Sequence, residues 1–163
     1  MGEDEIRRLI GDVPIYRYPE LASMKTPDEL FKGKRAAVLL FLTKGDNDGH
    51  WLCVLDHPSH IEVFDSFGTK IDGDRAWLDE HEKLEFHEVA PLLSNLLKGG
   101  TKQVIHNTTK LQDDNTDTCG DYVCYRILNA HVPLHEFVKR IKSSDVSPDE
   151  YVATMIDNIK KRG

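Results

Sequence analysis

The chain has 163 residues, 39% hydrophobic and 30% charged, with a net charge of −7. That is enough apolar material for one core without disulfides or metal, and the acidic balance excludes a broad nucleic-acid-binding face, which needs clustered Lys and Arg. Three cysteines, Cys53, Cys119 and Cys124, are too few and odd in number for a secreted disulfide framework, and no signal peptide or long apolar run is seen; a reducing, intracellular setting without a membrane is expected.

Residues 1–34 read as a wrapped N-terminal arm. They open on Glu3-Asp4-Glu5 and carry Tyr16, Tyr18 and Leu21 around Pro14 and Pro19, and Thr26-Pro-Asp-Glu29 has the spacing of a capped short helix. Ala36 to Leu42 is a continuous apolar run and predicts a buried strand, ended by the loop chemistry of Lys44 to Gly49.

His50 to Asp56 and Ile61 to Phe67 are two strand-like runs separated by His57-Pro-Ser-His60, the pattern of a hairpin. If Asp56 pairs with Ile61, Leu52 lies opposite Asp65 and His50 lies diagonally from Asp65 on the same face. Leu52, Val54, Ile61, Val63 and Phe67 then share that face, while Trp51, Cys53, Leu55 and Phe64 share the other. Both faces are apolar, so the sheet must be covered on both sides by helices. An imidazole and a carboxylate together at the rim of such a hairpin suit a general base and the group that orients it. A metal set of His50, Cys53, His57 and His60 is disfavoured, because strand alternation sends His50 and Cys53 to opposite faces. No metal and no cofactor are expected.

Helical spacing marks residues 74–84 and 87–98, Lys102 to His106 reads as a further strand, and Thr118 to Leu128 as a helix. Thr118 is the expected N-cap and Asp121 the third residue of a capping box, which puts Cys119 at the first helical position. A sulfur there faces unpaired backbone N–H groups and the positive end of the helix dipole, both of which favour thiolate. Val123, Cys124, Ile127 and Leu128 form the expected buried stripe. Gly120 leaves the backbone beside the sulfur open to a substrate chain, and Gln112 can bring an amide donor that, with the Cys119 N–H, would form an oxyanion hole. Two helices follow, one near Leu134 to Ile141 and one capped by Ser147-Pro-Asp-Glu150, whose Tyr151, Val152, Met155, Ile156 and Ile159 point back to the body.

The order His50, Asp65, Gln112, Cys119 resembles that of the adenain and SUMO-protease (Ulp-type) superfamily of cysteine proteases. His50-Trp51 resembles its His-Trp pair, and Val63-Phe-Asp-Ser-Phe-Gly68 the strand carrying its acid. Gln112 followed by Asn115, Cys119 and Gly120 has the adenain-like spacing, whereas the Cys-Gly-Asp-Tyr-Val-Cys run from Cys119 to Cys124 is similar to the Ulp-type enzymes. The resemblance runs from His50 to about Leu128. The short acidic chain and the Phe-Asp-Ser-Phe-Gly phrase look closer to maturation proteases of large DNA viruses and self-synthesising transposons than to cellular SUMO proteases.

The resemblance implies an α+β, permuted papain-like fold: a central mixed sheet flanked by helices in a single domain over 1–163, with an arm (1–34), a catalytic core (35–130) and C-terminal helices (131–163). It implies a cysteine endopeptidase with catalytic His50, Asp65, Gln112 and Cys119, and with Trp51 and Gly120 beside the substrate. The implied substrate is a viral structural polyprotein, cut after small, Gly-Gly-like residues; the alternatives are a SUMO or ubiquitin-like deconjugase, an effector-type acetyltransferase and an inactive binding module. A monomer without a nucleic-acid requirement is expected, acting in the host cytoplasm or nucleus or packaged in the virion.

Overall fold

The computed structural model describes residues 1–45, 48–73 and 91–163, and the side chains of these except for 42–45 and 48. The expected helix over 74–84 and the first part of the one expected over 87–98 lie outside the described residues.

Five strands form one mixed sheet in the order β1 (Ile15–Arg17), β2 (Ala36–Gly45), β3 (Asp48–Asp56), β4 (His60–Phe64) and β5 (Gln103–His106). The three central strands are antiparallel, while β1 adds parallel to β2 and β5 parallel to β4. Asp56 pairs with Ile61, Val54 with Val63 and Cys53 with Phe64, the register expected from the alternation of side chains. Pairing stops at Phe64 rather than Phe67, because the chain turns at Asp65, whose side chain takes the Phe67 N–H at 2.9 Å and whose carbonyl takes the Gly68 N–H, also at 2.9 Å. β2 is longer than its apolar run, since pairing with β3 continues to Gly45 opposite Asp48.

The two faces of the sheet build two cores, divided by the predicted alternation. On one, Val38, Leu40, Trp51, Cys53, Leu55 and Phe64 meet α1 (Glu3–Ile10), α4 (Cys119–Leu128), α5 (Leu134–Lys142) and α6 (Pro148–Arg162). On the other, Leu39, Phe41, Leu52, Val54, Ile61 and Val63 meet the 3-10 turn Tyr18–Ser23, α2 (Pro27–Phe31) and α3 (Leu92–Lys98). The fold is therefore α+β, with a mixed sheet between helical layers. The N-terminal arm is more than a wrapping: it supplies an edge strand, and Ile6 is fully buried in the first core while Tyr18, Leu21 and Leu30 are buried in the second. No helix among the described residues is long and apolar enough to cross a membrane.

Helix termini are satisfied in two ways. Local caps form where the spacing predicts them: Glu29 accepts the Thr26 N–H at 3.3 Å and Ser147 accepts the Glu150 N–H at 3.2 Å. At α3 the acceptor is remote instead, for Asp72 takes the N–H groups of Leu93 at 3.2 Å and Ser94 at 2.8 Å and a hydrogen bond from the Tyr18 hydroxyl.

Candidate active site

β3 and the turn after β4 bring the first two candidate residues together. His50 Nε2 lies 2.8 Å from Asp65 Oδ1, and both side chains are buried. The His50 ring lies against Phe67 with centroids 4.8 Å apart, which fixes the imidazole between a carboxylate and an aromatic face. With Nε2 committed to Asp65, Nδ1 is the nitrogen left for the thiol of Cys119, with which His50 shares a hydrogen bond.

Cys119 opens α4, at the helical position its sequence predicts, but the cap differs from expectation. Thr118 makes no side-chain cap to the helix, because its hydroxyl donates to Asp149 Oδ1 at 2.6 Å. Asp121 is half-buried, and burial raises its carboxyl above the usual range. The buried face is also rotated from the predicted stripe: Tyr122, Val123, Cys124 and Arg126 are buried, Ile127 is partly exposed and Leu128 is 39% exposed. The Trp51 backbone N–H, next to His50 in β3, donates to Cys119 Sγ at 3.5 Å.

The electrostatics of the pair are set by burial and by mutual contact. Burial alone disfavours both charged forms; for Cys119 it is outweighed by the hydrogen bond and charge of His50 and by the Trp51 and Gly120 N–H groups, so the thiol sits below its ordinary value. For His50, burial pulls the pKa down, but Asp65 and Cys119 raise it to about 10. These directions agree and favour a thiolate–imidazolium pair. The other two sulfurs go the opposite way: burial pushes Cys53 well above a normal thiol and Cys124 up to about 12.

Gln112 is buried 2% exposed and doubly held: Ser66 Oγ donates to its carbonyl oxygen at 2.6 Å, and its amide nitrogen donates to Thr116 O at 2.9 Å. This fixes the amide with its nitrogen toward the loop that enters α4, and the second Nε2 hydrogen has no partner among the described residues. The supporting turn depends on Gly68, which has φ 70°; a Cβ there would lie 2.6 Å from the Thr109 carbonyl carbon. That close approach lets residues 107–112 pack on the turn after Asp65, where Asn107 Nδ2 donates to Asp65 O at 2.8 Å and the Leu111 and Gln112 N–H groups share Ser66 O.

The two residues expected beside a substrate are both in contact with the N-terminal residue. Trp51 Nε1 donates to Met1 O at 3.0 Å. Gly120 is not open as expected: a Cβ built on it would lie 2.8 Å from Met1 Cβ, so Met1 covers that side of α4.

Several residues that organise the site were not singled out by sequence. Asp149, read only as part of a helix start, accepts from Thr118 Oγ1, from Tyr122 OH at 3.1 Å and from the Asp113 N–H at 2.9 Å, and so pins the 113–118 loop from the C-terminal helix. Arg126 on α4 pairs with Glu62 on β4 through two bonds of 2.8 Å, with side chains 0% and 1% exposed. Its Nη1 donates to Asn129 O at 3.1 Å and to Val132 O at 2.8 Å, and its guanidinium lies 4.8 Å from the Phe137 ring centroid. A charge inside an otherwise apolar helix face was the available signal for Arg126; Asp149 carried none.

No protein-family model matches the chain. A crystal structure of an ASFV protease superposes with a TM-score of 0.46 at 14% identity, over 90% of this chain and 60% of that one; the chain thus spans about 60% of that protease's length. ChlaDub1 from Chlamydia trachomatis gives a TM-score of 0.49 at 13% identity, over 96% of this chain and 73% of that one. The sequence is 32% identical over 160 residues to the uncharacterized protein V9 of Sputnik virophage, covering 94% of this chain and 90% of the relative. The chain belongs to the family of that virophage protein.

Proposed function

We propose that the chain is a cysteine endopeptidase in which Cys119 is the nucleophile, His50 the acid-base, Asp65 its orienting carboxylate and Gln112 an oxyanion donor. The observation that carries this reading is the buried Asp65–His50–Cys119 relay, with a 2.8 Å carboxylate–imidazole contact and a thiol held below its ordinary pKa by His50. Placement of a nucleophile, a base and an orienter in hydrogen-bond series is the chemistry of acyl transfer.

In the first step the Cys119 thiolate attacks the scissile carbonyl carbon. The oxyanion meets the Cys119 backbone N–H and the Gln112 amide, each worth about 2.7–4 kcal/mol by analogy with measured donor losses. The C–N bond breaks, and the leaving amine takes the proton from His50 Nδ1. Water then gives a proton to His50 as its oxygen attacks the thioester, and the carboxylic acid departs as the thiolate is regenerated. Asp65 keeps Nε2 protonated throughout, so Nδ1 alone cycles.

Membership of a virophage protein family supports a viral setting, and the substrate we propose for that setting is a viral structural polyprotein. Small residues before the cut fit the resemblance to adenain-like and Ulp-type enzymes. Trp51 and Gly120 are the residues proposed to lie beside the substrate, and a substrate reaching them would meet Met1.

The test is cleavage of a diverse peptide library, read by mass spectrometry, comparing the wild type with Cys119→Ala. The expected result is cutting after small residues, lost in the variant. Cutting confined to ubiquitin-like conjugates would replace the polyprotein reading with a deconjugase, and cutting that survives Cys119→Ala would overturn the nucleophile.

A further inference from the structure

At the end of the β3–β4 hairpin opposite His50 and Asp65, the turn His57-Pro-Ser-His60 and the first buried charge of β4 form a second cluster. One ligand-capable atom each from His57, His60 and Glu62 lies within 4.8 Å of the others. His57 Nε2 is 3.0 Å from Glu62 Oε1, and the His57 and His60 rings stack with centroids 4.5 Å apart. The turn fixes this pairing, since the His57 N–H donates to His60 O at 2.9 Å.

We infer that His57, His60 and Glu62 form a binding site for a divalent transition-metal ion of the zinc type. Two imidazoles and a carboxylate are ligands zinc takes at about 2.0–2.2 Å, with water completing a tetrahedron. Partial exposure of the two histidines leaves an entry path from solvent.

What distinguishes the cluster from a chance meeting of polar side chains is its outer layer. Ligands of bound metals are held by second partners that fix the ring orientation and the carboxylate. Here Ser59 Oγ lies 2.9 Å from His60 Nδ1, which leaves Nε2 as the coordinating atom. Arg126 holds both oxygens of Glu62, so the buried carboxylate is positioned before any ion arrives. The tetrahedral edge for such bond lengths is shorter than 4.8 Å, so the three ligand atoms must draw together on binding. Arg126 also sets a limit: its charge shares Glu62 with the ion, which weakens binding relative to an uncompensated carboxylate. The nearby Lys102 is itself neutralised by Asp56 at 2.7 Å.

An ion at this turn would brace Glu62 and, through Arg126, the nucleophile helix, about one hairpin length from Cys119. The strand alternation that separates His50 from Cys53 still holds; the site uses Glu62, which faces the turn, in place of both.

The experiment is isothermal titration of Zn²⁺ into the full chain carrying Cys119→Ala, which removes the thiol and His50 pair as a competing zinc site. The expected result is one equivalent bound, weakened at least about tenfold by His57→Ala or His60→Ala and less by Ser59→Ala. Zinc should also raise the melting temperature of the Cys119→Ala protein and not that of the His57→Ala/His60→Ala form. Circular dichroism checks folding of each variant, and all three changes lie on a partly exposed turn. No saturable one-to-one binding, or binding undiminished in the double histidine variant, would overturn the site.

Discussion

At the scale of single residues, the site is a set of groups each held by a second group. Asp65 acts on Cys119 only through His50, so Asp65→Asn, which keeps the shape and removes the charge, should lower kcat by about 10⁴-fold, as loss of an orienting carboxylate does elsewhere. The check is steady-state kinetics on a cleaved peptide, with the folded fraction of the variant measured alongside. Gln112→Ala removes the proposed oxyanion donor and should lower kcat by about 10²–10³-fold while KM moves little. Ser66→Ala leaves the donor but frees its carbonyl end, which Ser66 Oγ now holds at 2.6 Å. A kcat loss within about tenfold is expected, because the Thr116 bond still orients the amide. Equal losses for the two variants would mean that Gln112 acts through packing alone.

At the scale of elements, the nucleophile helix is tied to the strand that precedes Asp65 by the Arg126–Glu62 pair, buried on both sides. Removing Arg126 leaves Glu62 charged in the core with only His57 beside it, so Arg126→Leu should cost about 3–5 kcal/mol, read by urea unfolding. Glu62→Leu combined with Arg126→Leu should recover most of that loss, because it removes both desolvated charges. The hairpin register was legible beforehand because both faces are apolar and a one-residue slip would reverse them. The alternation of Leu52 and Val54 against Trp51 and Cys53 also assigned each face its own core. The capping box at Thr118 was not formed, since Asp149, distant in sequence, competes for the same hydroxyl at 2.6 Å. Local spacing predicts a cap only when no remote acceptor offers better geometry. The stripe on α4 erred at Leu128 for a related reason: periodicity counts apolar residues, while this face is filled by Arg126 and its carboxylate.

At the scale of the whole molecule, the arm, sheet and C-terminal helices are one packing unit. Ile6 on α1 is 0% exposed beneath α4, and Met1 sits on Gly120 and accepts from Trp51. Ile6→Ala should therefore destabilise the entire fold by about 2–5 kcal/mol, as truncation of a buried aliphatic side chain does, rather than releasing the arm alone. A near-zero change in the urea midpoint would show that the arm is peripheral. The sequence reads residues 1–34 as a wrapped arm and does not show which face each apolar group joins, because they are short, separated groups whose partners lie on two faces of a sheet. The four candidate catalytic residues could be singled out because His50 and Asp65 fall at the rim of a hairpin, Cys119 at a helix start and Gln112 in the loop before it. The partners that hold them, Ser66, Asn107 and Asp149, are ordinary polar residues until the chain folds.

The central claim is that His50 and Asp65 convert the Cys119 thiol into a thiolate. It is tested most directly by the pH dependence of Cys119 alkylation, followed residue by residue by mass spectrometry in the wild type and His50→Ala. With the thiol lowered and His50 raised to about 10, Cys119 should react below the ordinary thiol range, while Cys53 and Cys124, both pushed upward, stay slow. In His50→Ala the Cys119 curve should move up to or beyond the ordinary thiol value, because burial then acts against the thiolate without its partner. One unchanged curve in both proteins, centred on an ordinary thiol, would contradict the account.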